Sequence, residues 1–284
     1  MKRTDTLDEL IATVKKTDNI PTLPKVLSKI SEEIDNDNFS IKNIGELMSH
    51  DVSLSARILR VVNSPFYGFP QRIYSINHAI VLLGSNVLKS IIISTSVFTA
   101  MKEIMVGLSE HSIFCAFTAK HIAENLRAKK INNNIDPDIM FSAGLLHDIG
   151  KIIIATTFKD DFKKIIEIAN KSEKTLAHIE HDVLNISHDY LGYMLIKEWN
   201  LPPSIYLPIK YHHDVNLADD FKAEAAILNL ADFLTRALGI GFSGAAYLEK
   251  INRYSLNILD IDIDFIKSVI EAIYSYKDEL YIFD

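Results

Sequence analysis

The chain has 284 residues, enough for one large domain or two packed subdomains, and its 48% hydrophobic content can bury a sizeable core. Sparse Gly and Pro, 10 and 8, favour helices over a loop-rich β fold, and a net charge of −7 disfavours nucleic acid, whose binders present a basic face. The single cysteine, Cys115, excludes an internal disulfide and a Cys-rich zinc site.

Met1 to Leu10 carries no apolar run of the kind that opens a signal peptide, so the cytoplasm is the expected compartment. From Ile20 to Met101 the pattern is a string of short helices. Val26, Leu27, Ile30 and Ile34 recur at helical spacing after Pro24, and Asp37-Asn38 breaks them. Ser40 can cap a helix carrying Ile41, Ile44, Leu47 and Met48, and Ser53 the next, carrying Leu54, Ile58, Val61 and Val62. Asn63-Ser64-Pro65 stops that helix, because proline disfavours α conformation in the residue before it. Asn63 to Gly68 reads as a structural turn rather than a partner-binding element. Ser75 and Ser85 can cap two more helices separated by Gly84. Asn77, His78, Asn86 and Lys89 interrupt Ile76 to Met101, which reads as two buried core helices rather than a membrane span. A subdomain boundary is expected near Val106-Gly107, where histidines and carboxylates begin to occupy apolar helix faces.

Ten histidines follow no single pattern, and the dipeptide His-Asp occurs at His50, His147, His181, His188 and His213, so position on helix faces must sort them. His111 shares a face with Cys115, Thr118, Ala119, Ile122, Ala123 and Leu126. His121 lies roughly 80° from that stripe and is expected to be exposed. Asp136-Pro137-Asp138 is a helix start, with an Asp cap, Pro in the first turn and an acid near the positive end. Met140, Ala143 and Gly144 then lead at helical spacing to His147, with Asp148 beside it. Ser187 is expected to cap the helix of His188, Leu191, Gly192 and Leu195, in which Gly192 permits close helix approach. After Pro202-Pro203, Ile205 and Ile209 lead to His212 and His213. The helix from Ala223 to Leu238 is apolar nearly all round, with Asp232 in its middle, and a buried carboxylate needs a cation, a donor or a metal.

The inward set is therefore His111, His147, Asp148, His188, His212, His213 and Asp232. Imidazole and carboxylate are borderline-to-hard donors, suited to Fe, Mn, Zn, Ni or Co. Seven donors can fill two sites sharing Asp148, and two metals about 3.5–4 Å apart suit phosphoester hydrolysis. Lys151, just beyond, can contact a phosphate, so Asp148 and Lys151 are the candidate catalytic residues.

His147-Asp148-Ile149-Gly150-Lys151, after Gly144-Leu145-Leu146, resembles the HDxGK core of the HD superfamily. The order His111, His147-Asp148, His188, His212-His213, Asp232 is similar to the ligand order of its HD-GYP phosphodiesterase branch. Ile20-Pro21-Thr22-Leu23-Pro24, Ile58 to Gly68 and Ala79 to Gly84 resemble the HDOD branch instead, as do Glu180 and Trp199-Asn200-Leu201-Pro202. The resemblance runs from about Ile20 to at least Leu238. It implies an all-α fold, with an HDOD N-terminal helical subdomain over 20–105 packed on an HD-like helical subdomain over 106–284, after an extension over 1–19. It also implies a role in bacterial signalling and regulation, including motility, in a family whose members often lack a full ligand set. Here the set is complete, but Asp214 to Asp220 follows His213 where the HD-GYP branch has Gly-Tyr-Pro, which speaks against cyclic-di-GMP hydrolysis.

The remaining candidates have plainer readings. His178 and His181, beside Lys174, Glu180 and Asp182, read as a solvated face, and His50 and His78 as surface or capping residues. Cys115 reads as a small core residue, and Trp199 and Leu201 as packing between the subdomains. No Ser-His-Asp arrangement and no Gly-rich phosphate loop is present. Ile266, Val269, Ile270 and Ile273 make the last segment helical. The expectation is a regulatory module that binds a signalling protein or a phosphorylated or nucleotide ligand, without nucleic acid or membrane, around a pocket for a divalent metal. The alternative is a metal-dependent phosphohydrolase.

Overall fold

The computed structural model describes residues 52–101, 105–131, 134–245 and 247–275, apart from an isolated Ala12. The helices expected over Val26 to Met48, His50 and the chain beyond Ser275 lie outside the described residues. Every regular element among the described residues is helical, as the composition implies.

Helix α1 (Val52–Val62) already includes Ser53, so that serine does not stand outside the helix as its cap. Asn63 ends it with a clamp. Its amide donates to the Leu59 and Ile73 carbonyls, both at 2.7 Å, and accepts from the Ile73 N–H at 2.7 Å, which ties the turn after α1 to the chain ten residues on. Asn63 to Gly68 thus forms a turn, with the Tyr67 N–H donating to the Ser64 carbonyl and the Gly68 N–H to the Pro65 carbonyl. α2 (Ile76–Met101) begins directly after Ser75 and is broken by Gly84, at φ 75° and ψ 168°, into the two helices expected.

α3 (Leu108–Ala128) carries His111, and α4 (Pro137–Leu146) starts as its sequence predicts, with the Asp136 carboxylate accepting from the Asp138 N–H. α5 (Ile149–Thr157), α6 (Lys159–Ala169) and α7 (Leu176–Leu184) follow. Next come α8 (His188–Glu198), α9 (Pro203–Tyr211), a short 3-10 turn (Val215–Leu217) and α10 (Lys222–Ala237). α11 (Arg253–Leu259) and α12 (Ile263–Tyr274) close the described chain; the last is helical as expected, with Ile266, Val269 and Ile273 buried and Ile270 partly buried.

α3 packs on α4 and α10, α9 on α4, α8 and α10, and α8 on α5. Two glycines set the closest of these approaches. A Cβ on Gly144 would lie 2.6 Å from the Ala116 Cα, so α4 can lie against α3 only without one. A Cβ on Gly150 would lie 1.9 Å from the His188 carbonyl oxygen, and this residue, more than Gly192, lets α5 meet α8.

Among the described residues, two stretches, Ile76–Thr95 and Pro137–Thr157, are long and apolar enough to cross a membrane, with mean hydropathy 1.6 and 1.4. The second is 94% buried within the protein and the first 56%, so both supply the core. Trp199 and Leu201 are buried in that core too.

Candidate metal centre

The structure brings all seven expected donors to one place. His111 lies in the first turn of α3, and His147 caps the C-terminus of α4 while Asp148 precedes α5. His188 opens α8, His212 caps the C-terminus of α9 with His213 next to it, and Asp232 sits midway along α10. Six of them are at most 5% exposed, and His213 is half-buried.

Asp148 divides the cluster. Its Oδ2 lies 3.3 Å from His147 Nε2 and 3.6 Å from His111 Nε2. Its Oδ1 lies 3.4 Å from His188 Nε2, on the side of His212 and His213. Two groups of three donors result, His111 with His147 and Asp148, and His188 with His212 and His213, each spanning less than 4.8 Å and each able to hold a metal ion. Asp232 Oδ1 joins the first, 3.0 Å from His111 Nε2 and 3.7 Å from His147 Nε2.

The rings are turned for coordination. His147 Nδ1–H donates to the Gly144 carbonyl at 2.7 Å and His212 Nδ1–H to the Ile209 carbonyl at 2.6 Å, each within its own helix end. His188 Nδ1–H donates to Glu180 Oε2 at 2.6 Å. Each bond assigns the proton to Nδ1 and leaves the Nε2 lone pair for the cluster, as histidine ligands of metals require. Those lone pairs then face each other. His111 and His147 bring Nε2 atoms within 3.3 Å, and His188 and His213 within 3.0 Å, contacts that need a proton or a metal between them. His212 Nε2 and Asp148 Oδ1 are buried with no hydrogen-bond partner, an arrangement that costs stability unless a cation meets them. The donor set therefore fits one or two divalent metals.

Without metal, charge in the cluster is carried by protons. Burial lowers the basicity of His147, but the Asp148 carboxylate and Cys115 outweigh it and hold the imidazole well above its usual range. Burial likewise opposes ionisation of Asp148, yet His147 and Lys151 hold it well below the usual carboxylate range. Burial, then the neighbouring His147 and His188, lower His212 to about 4. Lys151 is itself buried and donates to Asp148 Oδ2 at 2.6 Å, so its ammonium is already engaged by the residue it was expected to accompany.

Other features differ from the sequence reading or were missed by it. Glu180 is 1% exposed, not part of a solvated face, although its neighbours His178 and His181 are exposed. Its Oε2 accepts from both the His188 backbone N–H, at 2.8 Å, and the His188 ring. The Ser187 side chain, at the N-cap position of α8, makes no cap bond, and the first N–H of that helix, His188's, is met by Glu180 instead. The apolar stripe Leu176, Ile179, Val183 and Leu184 brackets Glu180 at helical spacing and could have revealed it. Arg236, one turn beyond Asp232, places Nη1 3.6 Å from Asp232 Oδ2 and 2.9 Å from Glu249. His121 is half-buried rather than exposed and bonds Asn125, away from the centre. Cys115 is wholly buried, and burial pushes its thiol up, as a core residue requires.

Comparison with known proteins agrees with this architecture. The HDOD domain model matches residues 20–215. The chain belongs to the HDOD family. An uncharacterized protein of Treponema pallidum is 24% identical over 250 residues, 87% of this chain and 47% of that protein, so the chain spans about half the length of this relative. Among solved structures, an HDOD domain protein of unknown function from Geobacter sulfurreducens is 25% identical, with a TM-score of 0.72 over 97% of this chain and 99% of that one. A Marinobacter aquaeolei protein described provisionally as a signal transduction protein shares the fold at 21% identity and a TM-score of 0.71, over 95% of this chain and 63% of that one. A Shewanella amazonensis protein described provisionally as a metal-dependent phosphohydrolase does so at 21% and 0.59, over 94% and 97%.

Proposed function

We propose that this HDOD chain is a regulatory module whose His/Asp centre holds divalent metal. The observation that carries the metal is Asp148, whose two oxygens face two separate donor groups while Oδ1 and His212 Nε2 lack any other partner. A regulatory role is supported by the division of labour along the chain. Residues 52–101 supply none of the seven donors, yet their turn is pinned to the helices that do. Phe66 stacks on Phe117 of α3 at 4.1 Å, and Tyr67 packs against Phe141 of α4 at 5.8 Å. Such a surface can bind a signalling partner while the centre fixes the helices beneath it. Metal analysis of purified protein, beside Asp148→Ala and His188→Ala, tests this. One to two equivalents lost in both variants support it, and a wild type that takes up no Mn, Fe, Ni, Co or Zn refutes it.

The shared carboxylate also favours a second reading, a metal-dependent phosphohydrolase. Metal in such a centre supplies Lewis-acid stabilisation of a phosphoryl oxygen. His111, His147, Asp148 and Asp232 would hold one ion and His188, His212, His213 and Asp148 another. Lys151 would keep Asp148 ionised and oriented and steady the phosphate, and Glu180 would keep the His188 ring turned inward. Turnover of nucleotides, cyclic dinucleotides or a generic phosphodiester that disappears in Asp148→Ala supports this reading; turnover that survives the change places its source elsewhere.

A further inference from the structure

Arg236 and Glu249 border the centre without belonging to its donors. Arg236 projects from the last turn of α10, and its guanidinium is shared unevenly. Nη1 donates to Glu249 Oε1 at 2.9 Å and Nη2 to the Tyr247 carbonyl at 2.6 Å, whereas Nη1 stays 3.6 Å from Asp232 Oδ2. The first two are hydrogen bonds, and the third is an ion pair beyond hydrogen-bond reach. Tyr247 and Glu249 lie in the connection between α10 and α11, which has no regular structure among its described residues. Its near end is fixed to the start of α3. The Phe242 N–H donates to the Gly107 carbonyl at 3.1 Å, and a Cβ on Gly241 would lie 2.5 Å from the His111 backbone nitrogen.

The guanidinium is largely buried, so its charge needs a carboxylate, and two stand within ion-pair distance. Closing on Asp232 would engage that carboxylate in a forked pair and set Arg236 in competition with any cation for it. Glu249 and the Tyr247 carbonyl draw the guanidinium the other way. Asp232 Oδ1 then stays turned to His111 Nε2, 3.0 Å away, among the donors of the first group. Glu249 Oε2 is buried with no hydrogen-bond partner, so Glu249 keeps a second acceptor for Arg236 when a cation seated beside Asp232 repels the guanidinium.

We propose that Glu249 is a positioning residue for the centre: acting through Arg236, it holds the guanidinium off Asp232 and keeps that carboxylate open to a cation. This role presupposes that the first donor group holds metal. Isothermal titration of Mn into the metal-free whole chain tests it, with Asp232→Ala marking the binding event that belongs to the first group. Glu249→Ala should weaken that event about tenfold or more, the usual cost of losing an outer partner, because Arg236 then closes on Asp232. Arg236→Ala and the double variant Arg236→Ala/Glu249→Ala, with the competitor gone, should bind at least as tightly as the wild type. A merely structural role for the pair gives the opposite order, with the double variant weakest. Glu249→Gln keeps an acceptor oxygen without the charge and should fall between the wild type and Glu249→Ala; it replaces alanine in the same comparison if circular dichroism shows Glu249→Ala unfolded. Wild-type affinity in the Glu249 variants, a double variant no tighter than the single Glu249 change, or an Arg236→Ala variant weaker than the wild type overturns the proposal alone. A wild type that takes up no Mn overturns it together with the metal centre.

Discussion

Glu180→Ala removes one oxygen that serves two buried donors, the His188 backbone N–H and the His188 ring N–H. Each buried donor left unpaired costs about 1–3 kcal/mol, so the pair amounts to about 2–6 kcal/mol. At about 2–4 °C per kcal/mol for domains only slightly shorter than this chain, a loss of about 3 kcal/mol lowers Tm by about 6–12 °C. Losing the group that turns a histidine ligand also weakens metal affinity about 10–100-fold. Glu180→Gln separates hydrogen bonding from charge. Both bonds run to Oε2, so an amide oxygen in that position keeps both, and the expected stability loss is below about 1 kcal/mol. Thermal unfolding by circular dichroism in chelator and titration of Mn into each variant give the two readouts. An Ala variant within roughly 0.5 kcal/mol of wild type, or a Gln variant as unstable as Ala, would refute the reasoning, because the first denies the two donors their cost and the second denies that geometry supplies it.

Gly150→Ala forces a Cβ into the His188 carbonyl at 1.9 Å, with backbone on both sides unable to yield, so a loss at or above the usual 1–3 kcal/mol, about 3 kcal/mol, is expected in urea unfolding, together with loss of bound metal. Asn63→Ala leaves the Ile73 N–H unpaired and should cost about 1–3 kcal/mol in the same assay without changing metal content. In metal-free protein the lowered pKa values of His111, His212 and His213 mean that the unfolded chain takes up protons the folded chain refuses, so stability falls as pH drops below about 6.5. The raised value of His147 has the opposite sign: its contribution is complete below about 6.5 and is lost as pH rises through the higher folded value. Thermal unfolding across pH should therefore peak near about 6.5, and His212→Asn should flatten the acid side. Metal at a hundredfold excess over its Kd should stabilise the wild type by about 2.7 kcal/mol and Asp148→Ala hardly at all, read as the Tm difference with and without chelator.

Much of this centre was legible before any coordinates. A histidine at the end of an apolar stripe, or a carboxylate in a helix apolar on every side, has nowhere to go but inward, and that logic found His111, His147, His188, His212 and Asp232. The division of seven donors by Asp148 was also accessible from their number. Glu180 was hidden because charged neighbours in sequence outweighed the stripe that places it inside; its partner His188 starts a different helix, and no periodicity within one helix reports a contact between two. Gly150 was hidden for the same reason: the backbone it must accommodate belongs to α8. Ser187 shows the converse: good capping chemistry in sequence makes no cap bond, while the first N–H of the same helix is met by a buried carboxylate from another helix.

α4 stops at His147 and α9 stops at His212, so the carbonyl-rich ends of two helices converge where Asp148 and Asp232 already stand. Each such end acts as roughly half a negative charge. The opposing positive starts of α5 and α8 are met by Asp148 and Glu180, and Lys151 is paired with Asp148. In metal-free protein the protonated His147, Lys151 and Arg236 are spent on Asp148, Asp232 and Glu249, which leaves an incoming oxyanion little net attraction. On the proposed reading a divalent cation seated among the donors would supply that attraction, so supply of metal would act as the gate on whatever anion the centre accepts.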